Sequence, residues 1–121
     1  MGKVMLLKPG PDVQIINFED SLEFYYKQIE CRLIDIVRPY ALLEVSKKCK
    51  GLILIVDDEG LLVDKPKINQ FATLAYGQTL CGNVILAKEK YTEEGIITVG
   101  LTEEDVNAFN EALIKIIDRI K

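Results

Sequence analysis

The amphipathic C-terminal segment constrains the fold more than any other part of this sequence. Its apolar side chains recur at the spacing of one helix face, and polar side chains occupy the opposite face. The apolar positions are Val106, Phe109, Leu113, Ile116, Ile117 and Ile120. Thr102 followed by Asp105 is typical of a capped helix start. A helix with one apolar stripe must bury it, and we expect it to pack on a sheet.

Short apolar segments bounded by turn residues predict the strands of that sheet. We place them at residues 3–8, 13–17, 32–38, 42–45, 51–56, 79–89 and 96–99. Segments 42–45 and 51–56 flank a basic tip, 47–50, and predict a hairpin with an exposed loop. Residues 57–60 predict a turn in which Gly60 is free to adopt a positive φ. The stretch 61–76 is the least regular.

A second helix is predicted near the N-terminus. Asp20 caps it, with Glu23 three residues later, and its apolar face carries Leu22, Tyr25, Tyr26 and Ile29. The elements together predict a single α+β domain over residues 1–121. It has two layers, with a mainly antiparallel sheet of about five or six short strands and two helices packed on it.

Composition argues against most catalytic chemistry. The 121 residues contain no His, which removes the usual general base at neutral pH and the commonest metal ligand. Cys31, Cys49 and Cys81 form no Cys-x-x-Cys motif, so we expect reduced thiols in a cytoplasmic protein. No apolar run approaches the length of a membrane span. We predict a non-catalytic chain without a metal or cofactor.

The charged clusters have ordinary structural interpretations as well as chemical ones. The acidic turn 57–60 lacks the ligand spacing of a calcium loop. The three acids 103–105 favour the dipole of a helix N-terminus. Cys49 stands among three lysines, which would lower its pKa and make it a nucleophile. The alternative is an incidental thiol on a solvated loop.

The irregular stretch contains the best candidate for ligand binding. Two cations, an amide and an aromatic ring come close together there, in Lys65, Lys67, Asn69 and Tyr76. Such groups suit a nucleotide or another phosphate-bearing ligand. Arg32 and Arg38 are candidates for bidentate phosphate contacts. The alternative is that Phe71 and Tyr76 fill the edge of the core.

Six segments in order resemble a known protein family. They are Leu7-Lys8-Pro9-Gly10, residues 16–23, Val56-Asp57-Asp58-Glu59-Gly60, Pro66-Lys67-Ile68-Asn69, residues 80–86 and Gly100-Leu101-Thr102-Glu103-Glu104-Asp105. The chain resembles a small family of unknown function found in bacteriophages, prophages and other mobile elements. Two positions depart from its pattern. Glu30-Cys31 stands where the family often has Gly-Gly, and Gln70 stands where it has Arg.

The resemblance implies a genome context more than an activity. We expect an accessory protein in the host cytosol that serves counter-defence or host takeover by binding and inhibiting a host protein. A net charge of −4 would suit a basic partner, and direct nucleic-acid binding is not expected. The alternative is a sponge that sequesters a nucleotide immune signal and forms a homo-oligomer.

Overall fold

One six-stranded antiparallel sheet is the centre of the computed structural model, which describes residues 2–120. The strands are β1 (Lys3–Lys8), β2 (Asp12–Asn17), β3 (Ile34–Val37), β4 (Leu52–Asp57), β5 (Val84–Thr92) and β6 (Gly95–Val99). The helices are α1 (Leu22–Ile29), α2 (Tyr40–Val45), α3 (Gln70–Tyr76) and α4 (Glu103–Ile120), with a short 3-10 turn at Lys47–Cys49. The predicted α+β class and mainly antiparallel sheet are confirmed.

The strand order is β2-β1-β5-β4-β3, and β6 lies in line with β1 along the same edge of β5. The backbone N–H of Leu101 donates to the carbonyl of Lys3 at 2.7 Å and joins the two. Glycine is required at this junction. A Cβ on Gly100 would lie 2.8 Å from the Cα of Gly2.

The sheet carries helices on both faces, where the sequence suggested two layers. Leu52, Leu54 and Val56 of β4 face α2, α3 and α4, while Ile53 and Ile55 face α1. All five side chains are buried. A central strand covered on both faces needs apolar side chains at consecutive positions, which explains the uninterrupted run in β4.

The predicted hairpin over residues 42–56 is wrong in its first arm. Residues Tyr40–Val45 form α2, and the basic tip is a 3-10 turn. Leu42 is fully buried against the sheet from its place on this helix, and Cys49 is fully buried as well. An apolar run this short fits the periodicity of a helix as well as that of a strand, so packing rather than propensity selects the helix.

Two local predictions at the N-terminal helix and the acidic turn also need correction. The cap of α1 is Ser21, whose Oγ accepts from the Phe24 N–H at 3.1 Å, and Asp20 accepts from the Tyr25 hydroxyl instead. Gly60 is absent from the positive-φ glycines of residues 2–120. It is required for space, because a Cβ there would lie 2.8 Å from the Cys81 carbonyl oxygen.

The structure also differs from the prediction in the stretch 61–76 and in the strand predicted at 79–89. Helix α3 occupies the end of the stretch predicted to be irregular, and β5 begins only at Val84. Gly82, with φ +82°, interrupts the extended backbone before it.

Helix α4, at the C-terminal end of the described residues, agrees closely with its prediction. The Thr102 N–H donates to Asp105 Oδ2 at 2.8 Å, and the Asp105 N–H donates to the Thr102 hydroxyl at 3.1 Å. Phe109 and Leu113 are buried against the sheet, whereas Ile120 is exposed. None of the helices within residues 2–120 combines the length and apolar character needed to cross a bilayer.

Candidate functional site

A cavity of about 460 Å³ opens at the end of the sheet where β1 and β4 finish and β2 and β5 begin. This sheet-end cavity is lined by the hairpin of β1 and β2, the end of α1, the end of β4, the loop that follows β4 and the segment before β5. Its lining residues are Lys8, Pro9, Asp12, Ile29, Glu30, Asp57, Gly60, Val63, Lys65, Lys67, Gly82 and Asn83. Its volume falls in the range of small-molecule sites, about 300–1,000 Å³.

The buried side chain of Asn69 holds this end of the sheet together. Its Nδ2 donates to the carbonyl oxygens of Leu7 and Gly82, both at 2.9 Å. Those residues immediately precede Lys8 and Asn83, which line the cavity. Its Oδ1 accepts from a backbone N–H in the first turn of α3 and caps that helix. Asn69 is therefore a positioning residue whose polar atoms all bond within the protein.

Lys67 has a firmly held backbone and an exposed side chain. Its carbonyl accepts from the Gly82 N–H at 2.9 Å, and the Asn69 N–H donates to the Leu80 carbonyl at 2.8 Å. These bonds lie on either side of the bridge between Ile68 and Cys81. Lys67 thus lines the cavity from a segment that is held by backbone hydrogen bonds.

Two residues of the cavity adopt an unusual backbone conformation. Glu30 (φ +60°) and Lys65 (φ +56°) are the only non-glycine residues with positive φ within the described range 2–120. This conformation costs roughly 1–2 kcal/mol for an L-residue, and such strain tends to cluster at functional sites. At Glu30 the side chain is held in place, because Asn83 Nδ2 donates to its Oε2 at 3.1 Å.

Charges of both signs line the cavity without pairing. Its cations are Lys8, Lys65 and Lys67, and its carboxylates are Asp12, Glu30 and Asp57. Within residues 2–120 the ion pairs shorter than 4.0 Å are Arg32–Glu59, Arg38–Glu89 and Lys88–Asp105, none of which joins two cavity residues. The cavity charges are therefore available to a ligand.

Arg32 lies beside the cavity rather than in it. It lines an adjoining depression with Tyr26, and both hollows share Glu30 and Asp57. Its guanidinium donates two hydrogen bonds to Glu59, at 2.7 and 3.0 Å. The same contact holds the pKa of Glu59 below its usual range. The guanidinium is thus already engaged by a carboxylate.

The remaining predicted residues lie elsewhere. The ring of Tyr76 packs against that of Tyr40, with centroids 6.0 Å apart, so it belongs to the edge of the core. Arg38 follows β3 at the opposite end of the sheet, with Nη1 2.7 Å from Glu89 Oε1. Of the six predicted ligand residues, the structure brings only Lys65 and Lys67 into one cavity, with Arg32 adjacent.

Sequence reasoning missed Lys8, Glu30 and Asn83. Lys8 and Asn83 could have been found from the sequence, because both lie in segments that carry the family resemblance. Four of those six segments supply lining residues, because residues 7–10, 56–60, 66–69 and 80–86 meet at this end of the sheet.

Cys49 is not an activated nucleophile. Its side chain is fully buried, and its thiol lies 3.5 Å from the carbonyl oxygen of Ala108, to which it donates. Burial raises the pKa of this thiol above its ordinary value, opposite to the lowering that its lysine neighbours suggested. The three lysines lie on the outer side of the turn, exposed to solvent.

Comparison with known proteins identifies a family whose function is unknown. A family model described as a domain of unknown function (DUF3846) matches residues 2–114. No curated protein and no solved structure matches the chain. The match spans nearly the whole sequence, including every segment that lines the sheet-end cavity. The chain therefore belongs to the DUF3846 family of domains of unknown function.

Proposed function

We propose that this domain binds and sequesters a small phosphate-bearing molecule in the sheet-end cavity without transforming it. The observation that carries the proposal is the convergence of three unpaired lysines, Lys8, Lys65 and Lys67, on one cavity of about 460 Å³. Ammonium groups on flexible stems bind phosphate oxygens as point charges. The volume suits a ligand of nucleotide size.

Sequestration rather than catalysis is supported by the residue types at the cavity. No His exists in the chain, and no cysteine is among the lining residues. We propose that the domain acts in the cytosol of a cell that carries a phage or another mobile element, and that its ligand is a nucleotide signal of host immunity.

The test is thermal unfolding of the protein with mononucleotides, cyclic di- and trinucleotides and cyclic ADP-ribose isomers. A ligand at 100 times its dissociation constant adds about 2.7 kcal/mol, which raises the midpoint by several degrees. We expect at least one compound to raise the unfolding midpoint and to be recovered chemically unchanged. The double variant Lys65→Ala/Lys67→Ala should show no such shift. Lys90→Ala, on the exposed part of β5, is the matched control. A flat panel would refute the proposal.

A second candidate function, inhibition of a host protein by direct contact, is favoured by a separate observation. Leu61, Leu62 and Val63 are consecutive exposed apolar residues in the loop after β4, with Leu62 80% exposed. Exposed apolar patches mark interaction sites, and the acidic net charge would favour a basic partner.

Affinity capture from host lysate tests this candidate when wild type is compared with Leu61→Ser/Leu62→Ser. A host protein retained by the wild type and lost by the variant would support inhibition by contact. Equal retention by both proteins would exclude this loop as the contact surface.

A further inference from the structure

We propose that the ligand of the sheet-end cavity is a guanine nucleotide, an inference that rests on the proposed function above. Once the lysines are assigned to phosphate, several polar groups of the cavity remain free. These groups are the carboxylates of Asp12, Glu30 and Asp57 and the side-chain oxygen of Asn83. All of them accept hydrogen bonds and none donates one.

The hydrogen bonds of Asn83 establish that it offers only an acceptor. Its Nδ2 donates to the carbonyl of Gln28 and to Glu30 Oε2, both at 3.1 Å. Both amide hydrogens are thereby used, and Oδ1 accepts no hydrogen bond from residues 2–120. The residue as a whole is only 9% exposed, so the surrounding protein holds the orientation of its side chain.

The carboxylates are likewise oriented but not saturated. Asp57 Oδ1 accepts from the Glu59 N–H at 2.9 Å, and its second oxygen accepts nothing within residues 2–120. Glu30 is fixed by its bond from Asn83 and by its left-handed backbone at the end of α1. A base that enters this side of the cavity meets acceptors on several sides.

Among the common nucleobases, guanine best matches a group of hydrogen-bond acceptors. Its Watson–Crick edge carries the N1–H and the N2 amino group side by side, and one carboxylate can accept from both. Adenine places an acceptor nitrogen beside its single amino group, which would face a carboxylate oxygen unfavourably. Phosphate held by the lysines and guanine read by Glu30 would use both signs of charge that line the cavity.

Calorimetric titration of the full chain with GMP, AMP and inorganic phosphate tests the inference. We expect GMP to bind about tenfold or more tightly than AMP, the discrimination typical of one good bidentate contact. Glu30→Gln keeps an acceptor for Asn83 but removes the charge. It should weaken GMP binding about tenfold and leave AMP binding unchanged, while Lys65→Ala/Lys67→Ala weakens both.

The outcomes separate the two proposals. If AMP binds as tightly as GMP, or if Glu30→Gln leaves the GMP affinity intact, the guanine inference is overturned and phosphate sequestration stands. If neither nucleotide nor phosphate binds the wild type, both proposals fail. Lys90→Ala should bind GMP like the wild type, since that lysine lies at the other end of β5.

Discussion

Asn69 Nδ2 donates a hydrogen bond of 2.9 Å to the carbonyl oxygen of Leu7, a residue 62 positions earlier in the chain. The bond joins the segment before α3 to the end of β1, and a second bond from the same nitrogen reaches the carbonyl of Gly82, two residues before β5. One amide side chain thus fixes the relative positions of Lys8, Lys67 and Asn83 at the cavity.

Replacement of Asn69 by Ala should therefore destabilise the whole fold. The helix cap contributes about 1 kcal/mol, and the carbonyls of Leu7 and Gly82 would each lose a donor, so we expect a loss of about 3 kcal/mol. Urea denaturation gives the free energy of unfolding. Asn110→Ala, the same change at an exposed position of α4, should have little effect. A loss below about 1 kcal/mol at Asn69 would contradict this positioning role.

Phe109→Ala should remove one of the largest fully buried side chains. Phe109 is 1% exposed and packs between α4 and the sheet, so we expect a loss of about 3–5 kcal/mol. Ile114→Ala, on the outer side of the same helix and 57% exposed, is the control and should change stability little. A near-zero effect at Phe109 would mean that this stripe faces a partner instead of the core.

Asp105 should make the stability of the protein depend on pH. Burial opposes its ionisation, yet hydrogen bonds from the Thr102 N–H and the Lys88 ammonium hold its pKa below the usual range. A carboxylate with a lowered folded-state pKa stabilises the protein above its unfolded pKa, about 3.9, and this contribution is lost as the pH falls.

Urea denaturation of wild type and Asp105→Asn at a series of pH values measures this contribution. The wild type should be more stable at pH 7, and the difference should shrink as the pH falls below about 4. Glu104→Gln, an exposed neighbour, controls for the loss of one negative charge. A difference that is constant with pH would show that Asp105 acts through its shape rather than its charge.

The three thiols should differ in their reactivity toward a disulfide reagent. Cys49 and Cys81 are buried and should react only when the protein unfolds, whereas Cys31 is half-buried. Burial raises the pKa of Cys31, so its reaction at pH 7 should be slow. Peptide mapping by mass spectrometry identifies the labelled residue, and Cys31→Ser should abolish native-state labelling. Rapid labelling of Cys49 would refute its buried position.

Local sequence patterns predicted most strands and the closing helix because those segments carry their own signals. The first hairpin has turn residues between two apolar runs, and α4 has a reciprocal cap and a long apolar stripe. The short helices were harder. Helix α2 has six residues and α3 has seven. These lengths are too short for the apolar periodicity of a helix to be distinguished from that of a strand.

Only a small part of the candidate site was predicted from sequence. Lys65 and Lys67 were found because cations and amides cluster in one irregular stretch. Tyr76 and Arg38 belonged to the same hypothesis, but the packing of α3 and the direction of β3 carry them to other parts of the molecule. Asn69 sits within that stretch, yet burial turns it inward as a structural residue.

The sequence by itself determined the α+β class, most of the strands and the amphipathic character of the last helix, since each depends on residues close together in the chain. Only the tertiary structure decided that Lys8, Glu30, Lys67 and Asn83 share one cavity. They come from four separate segments, and their approach depends on strand order and on hydrogen bonds such as that from Asn69 to Leu7. Such long-range contacts leave no periodic trace in sequence, because they arise when the whole sheet buries its apolar faces.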